Sequence, residues 1–178
     1  MKKPISKQLT LSGLLISVGV ILPMVFHAAG GGGPVFLPMH IPVLLAGFFL
    51  SIPFALMVGA LTPMLSSFIT GMPPAFPMLP IMIFELATYA AVASLIYRKY
   101  QLNVYIALIV SMFCGRVVAG VMVWFLTTLF TTQLPGPIIF IKGAVATGIP
   151  GIIIQLIFIP AIVFAVNKYF SDNVQQAS

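Results

Sequence analysis

Apolar runs alternate with short punctuation along this chain. Some breaks are clusters of glycine and proline, others are one to three charges. A helix that crosses the hydrocarbon of a bilayer needs roughly 20 apolar residues. On that measure the pattern predicts six helices, at approximately Leu9–Phe26, Pro38–Leu50, Pro53–Thr70, Ile81–Tyr97, Val104–Phe130 and Lys142–Val166. The second is short, and only Ser51-Ile52-Pro53 parts it from the third, so these two form a tight hairpin. The stretch GGGGPVFLPMHIPVLLAGF, Gly30–Phe48, opens on a glycine loop, and GMPPAFPMLP, Gly71–Pro80, reads as a proline-stiffened loop. TTQLPGPIIF leads into the last helix. With no internal repeat or hydrophilic domain in view, the expectation is a single all-α membrane domain of six helices over residues 1–178.

Composition names the solvent. Hydrophobic residues make up 61% of the chain and charged ones 6%, with a mean hydropathy of +1.18. Soluble domains carry about 25% charged residues; this chain has too few to cover a surface in water, whereas a surface in lipid needs none. The net charge of +6 sits at segment ends rather than in a stripe, so no nucleic-acid partner is indicated. Cys114 stands in an apolar run and offers no disulfide framework. The basic start MKKPISK resembles a secretory signal, but no small-residue cleavage site is clear and further spans follow, so it reads as a retained first helix.

Positive charges flank the cytoplasmic ends of membrane helices. An even number of spans puts both termini on one side, which then holds Lys2, Lys3, Lys7, Arg98, Lys99 and Lys168. Lys142 alone marks the other side, and Arg116 falls within a helix. Both termini are therefore expected in the cytoplasm. The Gly/Pro-rich loops then all lie outside, with Gly31, Gly32, Pro74 and Phe76 as candidate lid residues. Irregular backbone at membrane depth is tolerated where it is buried in protein or lines a polar cavity. This asymmetry suggests a lidded site open to the outside; simple hairpin connectors are the competing reading.

Glu85 is the acidic residue of the hydrophobic segments, and Arg116 lies mid-helix. A charge at that depth costs at least ~2.5–3.5 kcal/mol, so such residues face the interior and find partners. Either the two pair with each other, or one or both bind a polar ligand. Tyr89 falls on the face of Glu85, at i+4. His40 and His27 stand at outer helix ends, where snorkelling or capping also explains them. Trp124, two turns beyond Arg116, and Gln155, polar amid apolar residues, complete the candidate set. Gly13 and Ser17 form a small-xxx-small pair that either seats another protein or packs within the chain. The chain contains no CxxC, HExxH or GxSxG and no Walker A sequence. Neither an enzyme, a metal site nor a cofactor is expected.

The blocks LPMHIPVLLAGF, LTPMLSSFITGMPPAFP, FELATYA, GRVVAG and ATGIPGIIIQL, which cover most of the chain, resemble the substrate-binding S components of energy-coupling factor (ECF) vitamin transporters. The resemblance implies a protein of the prokaryotic plasma membrane that captures a scarce micronutrient from outside. Its implied partners are a transmembrane coupling subunit and two ATP-binding subunits, with toppling in the membrane as the release step. The family's alanine-rich AxxxA contact with the coupling subunit is here Gly13-Leu-Leu-Ile-Ser17, a departure from the pattern. One buried cation and one anion suit pantothenate, a pyridoxine-type compound or a nucleoside-like cobalamin precursor. The rival readings are a membrane assembly or scaffold subunit and a self-sufficient small carrier. Because no ATP-binding motif is present, the purified protein in liposomes is expected to bind ligand without accumulating it. Accumulation against a gradient with no ATPase subunits added overturns the S-component reading.

Overall fold

A backbone in lipid must satisfy its own hydrogen bonds, and helices do so within each segment. A computed structural model describes residues 4–28, 30, 32–130 and 134–176, with side chains through Tyr169. Its helices are α1 (Ile5–Ala28), α2 (Gly33–Phe36), α3 (His40–Phe49), α4 (Ile52–Thr70), α5 (Met78–Ser94), α6 (Val104–Leu129) and α7 (Pro137–Gln176). A π-helical turn, Leu95–Lys99, continues α5. Five stretches are long and apolar enough to cross a bilayer: Ile5–Ala28, Ile52–Thr70, Met78–Lys99, Val104–Leu129 and Pro137–Tyr169.

The remaining apolar segment, Gly33–Phe49, holds the expected helix Pro38–Leu50 as α3 and adds the short α2 where a glycine loop was expected. It breaks into α2 and α3 at Leu37, which takes the left-handed conformation (φ 50°, ψ 48°) while its N–H bonds Gly33 O. Gly32, at φ 98°, starts α2, and Pro34 in its first turn loses no helical hydrogen bond. From His40 to Phe48 every residue of α3 but Ile41 is buried. α3 packs against α1, α4 and α5, and more narrowly against α7. Surrounded by protein, it escapes the length that lipid demands of a spanning helix.

Other boundaries move for reasons of proline chemistry. α5 starts at Met78, inside the stretch read as a loop to Pro80, because proline is tolerated in a first helical turn. α7 starts at Pro137 rather than Lys142 for the same reason and runs past Val166, through Pro150 and Pro160. α1 begins at Ile5, so Lys7 lies within it. Lys2 and Lys3 lie outside the described residues.

Side chains close the helix ends that a bilayer leaves unpaired. At one end of the bundle Gln8 Oε1 accepts from Ser51 N (3.0 Å) and Ser51 Oγ (2.7 Å). Ser94 Oγ donates to Leu50 O (2.8 Å), and Arg98 Nη1 donates to Phe49 O (2.9 Å). Asn167 Nδ2 donates to Tyr97 Oη (2.8 Å) and joins the last helix to this end. These bonds gather the start of α1, the α3–α4 turn, the end of α5 and the late part of α7. At the opposite end Ser66 Oγ donates to Met72 O and Ser67 Oγ to Pro73 O, both at 2.7 Å, holding the 71–77 loop on α4. That loop contains cis peptide bonds at Met72–Pro73 and Phe76–Pro77.

Close helix approach depends on missing side chains. A Cβ at Gly59 of α4 would lie 2.5 Å from Leu86 O and 2.6 Å from Ala87 Cα of α5. Because the obstacle is backbone, it cannot swing aside. Gly59→Val is therefore expected to destabilise the protein by about 1–3 kcal/mol, the usual cost of overpacking. Thermal unfolding in detergent checks this, and an unchanged midpoint contradicts the α4–α5 contact.

Candidate functional site

The residues that lipid makes most costly converge where α3, α5 and α6 meet. Arg116 Nη1 of α6 lies 2.7 Å from Glu85 Oε1 of α5, and the arginine side chain is 13% exposed. Tyr89, one turn after Glu85, donates its hydroxyl to the same carboxylate oxygen at 3.0 Å. Glu85 and Arg116 thus form the ion pair of one reading open from sequence, and both also line a cavity, as the ligand reading requires. Gly115 makes room for this, since a Cβ there would strike the Tyr89 ring. His40, first residue of α3, places its ring 5.5 Å from that of Tyr89 at a 57° tilt.

Glu85, Arg116 and His40 border a cavity of about 690 Å³ at the end opposite the one gathered by Gln8, Arg98 and Asn167. Its walls come from Pro23 and His27 of α1, Gly33 and Pro34 of α2, the 72–74 loop, Met78 and Met82 of α5, and Pro135 to Thr147 around the start of α7. Glu85, Arg116, His27, His40 and Thr147 are the polar side chains of an otherwise apolar lining. A second cavity of about 570 Å³ lies between α6 and α7, with Gln155 and Tyr89 in its wall. Leu37, His40 and Arg116 border both.

A family model described as "ECF transporter, substrate-specific component" matches residues 7–163. The chain belongs to that family. Neither a curated protein nor a solved structure matches it. This S component is thus a multi-pass membrane protein and the substrate-binding subunit of an ECF transporter, not an enzyme. Membership implies a substrate and an ECF module of a membrane component and ATPases.

The S component brings together Glu85, Arg116, Tyr89 and His40, with Gln155 in the adjoining chamber, and leaves Trp124 apart. Trp124 is 59% exposed on the outer surface of α6. At about 100° per residue, eight residues turn it some 80° off the face of Arg116, and there an aromatic meets lipid. Of the lid candidates, Pro74 lines the larger cavity and Gly32 shapes the start of α2. Phe76 does not line it; half exposed, its ring sits 5.7 Å from that of Phe130 and links the 71–77 loop to the end of α6. Gly31 lies outside the described residues. Gly13 and Ser17 face outward on α1, and a Cβ at Gly13 would meet nothing within 4 Å, so this pair is not spent on packing inside the chain.

Sequence reasoning missed Met72, Pro73, Met78, Met82 and Leu37 as lining residues. In an apolar chain, an apolar wall carries no signal. It also missed Ser66 and Ser67, whose serines near a Gly-Met-Pro-Pro turn were a usable cue. Removing one member of the ion pair, by Arg116→Met or Glu85→Gln, is expected to cost about 3–5 kcal/mol, because the survivor is a buried unpaired charge. The double variant should recover most of that loss in thermal unfolding. Additive losses instead would show that each charge has another partner.

Proposed function

We propose that this S component captures a small water-soluble vitamin or related micronutrient outside a prokaryotic cell and hands it inward by ATP-driven uptake. The transmembrane coupling subunit and two ATP-binding subunits of an ECF module supply the energy in this reading, since the chain has no Walker A sequence. The observation that carries it is the cavity of about 690 Å³ at the loop end of the bundle. That volume is within the range of small-molecule sites, which are mostly apolar with a few placed polar groups. Lys7, Arg98, Lys99 and Lys168 lie toward the other end, which supports a cytoplasmic placement of that end and an outward-facing cavity.

Charge favours one of the ligand classes. Arg116 is already matched by Glu85, so the cavity wall carries no net charge. A pantothenate carboxylate would have to compete with Glu85 for the guanidinium. A pyridoxine-type ring, with hydroxyl groups and no net charge, needs no such exchange, and its flat apolar faces suit the Met- and Pro-rich walls. A pyridoxine-type compound is therefore the preferred substrate.

The exposed Gly13–Ser17 face of α1 is the proposed seat of the coupling subunit, since small residues let a partner helix approach closely. Gly13→Leu is expected to cut uptake in cells carrying the ECF module by about tenfold or more, while ligand affinity of the purified protein holds within about twofold. Weakened binding would mean that the substitution disturbs the site. Undiminished uptake would remove this face from the coupling contact.

A further inference from the structure

Buried polar atoms are nearly always hydrogen-bonded, because burial forfeits their bonds to water. Among the described residues, His40 Nδ1, His40 Nε2 and Gln155 Nε2 are buried side-chain atoms with no hydrogen-bond partner. His40 is 5% exposed and Gln155 1%, so bulk water does not serve them. Both border the chamber of about 570 Å³ between α6 and α7. The neighbouring charges are matched internally, Arg116 by Glu85 and Glu85 also by Tyr89. Unused bonding capacity is therefore concentrated at His40 and Gln155, beside an ion pair whose own charges are matched.

We propose that the ligand of the cavity of about 690 Å³ extends past His40 into the cleft between α6 and α7, where His40 and Gln155 together read an uncharged edge carrying a donor beside acceptors. This rests on the substrate-binding reading of the site. An uncharged imidazole offers one donor and one acceptor, and the amide nitrogen offers donors only. The ligand must bring acceptors for both residues and one donor for the imidazole. A pyridinol, a lactam or a cyclic ureide has such an edge. A carboxylate brings acceptors alone and strands the imidazole lone pair; an ammonium brings donors alone and strands the amide. Met112, Phe113, Ile152 and Leu156 are among the apolar residues that line this cleft, and they suit the apolar faces of a ring.

Leu37, at the left-handed junction of α2 and α3, borders both cavities together with His40 and Arg116. Gly148 of α7 faces it, where a Cβ would lie 3.0 Å from Leu37 Cδ1.

The test compares wild type with Gln155→Met and, separately, His40→Leu, both purified in detergent. Equilibrium dialysis uses pyridoxine and biotin methyl ester as neutral probes, with pantothenate and thiamine as charged ones. Each variant is expected to melt higher than wild type without ligand, since an unpartnered polar group has been removed. Each is also expected to bind the preferred neutral probe about tenfold or more weakly. A lower melting temperature for both variants means that the polar groups have structural partners and overturns the proposal. So does unchanged neutral-probe affinity, with the transport reading left standing. Tighter binding of pantothenate or thiamine than of both neutral probes overturns the neutral-edge assignment alone. Binding of none of the four overturns the vitamin-binding reading and this proposal with it.

Discussion

Lipid cannot hydrogen-bond, so every carbonyl that a helix end frees inside the bilayer must find a donor within the chain. The placement of the scarce polar side chains follows from that constraint. Phe49 O and Leu50 O, the carbonyls at the end of α3, are met by Arg98 and Ser94. Ser66 and Ser67 meet Met72 O and Pro73 O in the loop that follows α4. The Ser66 and Ser67 bonds hold irregular backbone beside the cavity. The Arg98 and Ser94 bonds close the end of α3, which is too short to span alone and occupies the middle of the bundle.

The same constraint explains why Glu85, Tyr89 and Arg116 share one point. Each would be costly alone at that depth, and together they neutralise charge and join α5 to α6. Their closeness requires Gly115, because a side chain there would occupy the space of the Tyr89 ring. A matched pair leaves the cavity wall without net charge. Ligand selection then falls to neutral hydrogen bonding and to the shape of apolar walls.

Two surfaces of the S component answer to different partners. The loop end presents a cavity walled by prolines and methionines, where rigid backbone and adaptable side chains meet. The Gly13–Ser17 face of α1 presents open space and small side chains. The two are joined through α3, whose first residue, His40, lines the cavity and whose body packs on α1.

Much of this protein was legible from sequence. Residue types alone specified the bilayer as solvent, helices as its consequence, and Gly/Pro loops as the irregular regions. They also singled out Glu85 and Arg116, since charge is too costly in lipid to be incidental. Tyr89 followed because i+4 spacing is a property of one helix. Tertiary structure alone decided that Glu85 pairs with Arg116, that the segment after the glycines breaks at Leu37, and that α3 is enclosed. It alone turned Trp124 and Phe76 away from the cavity and left Gly13 uncovered. The reason is that helices apolar on every side carry no stripe of polarity to mark which face turns inward. Their rotation is set instead by where small residues such as Gly59 and Gly115 let a neighbour approach, and that depends on the neighbour as much as on the glycine.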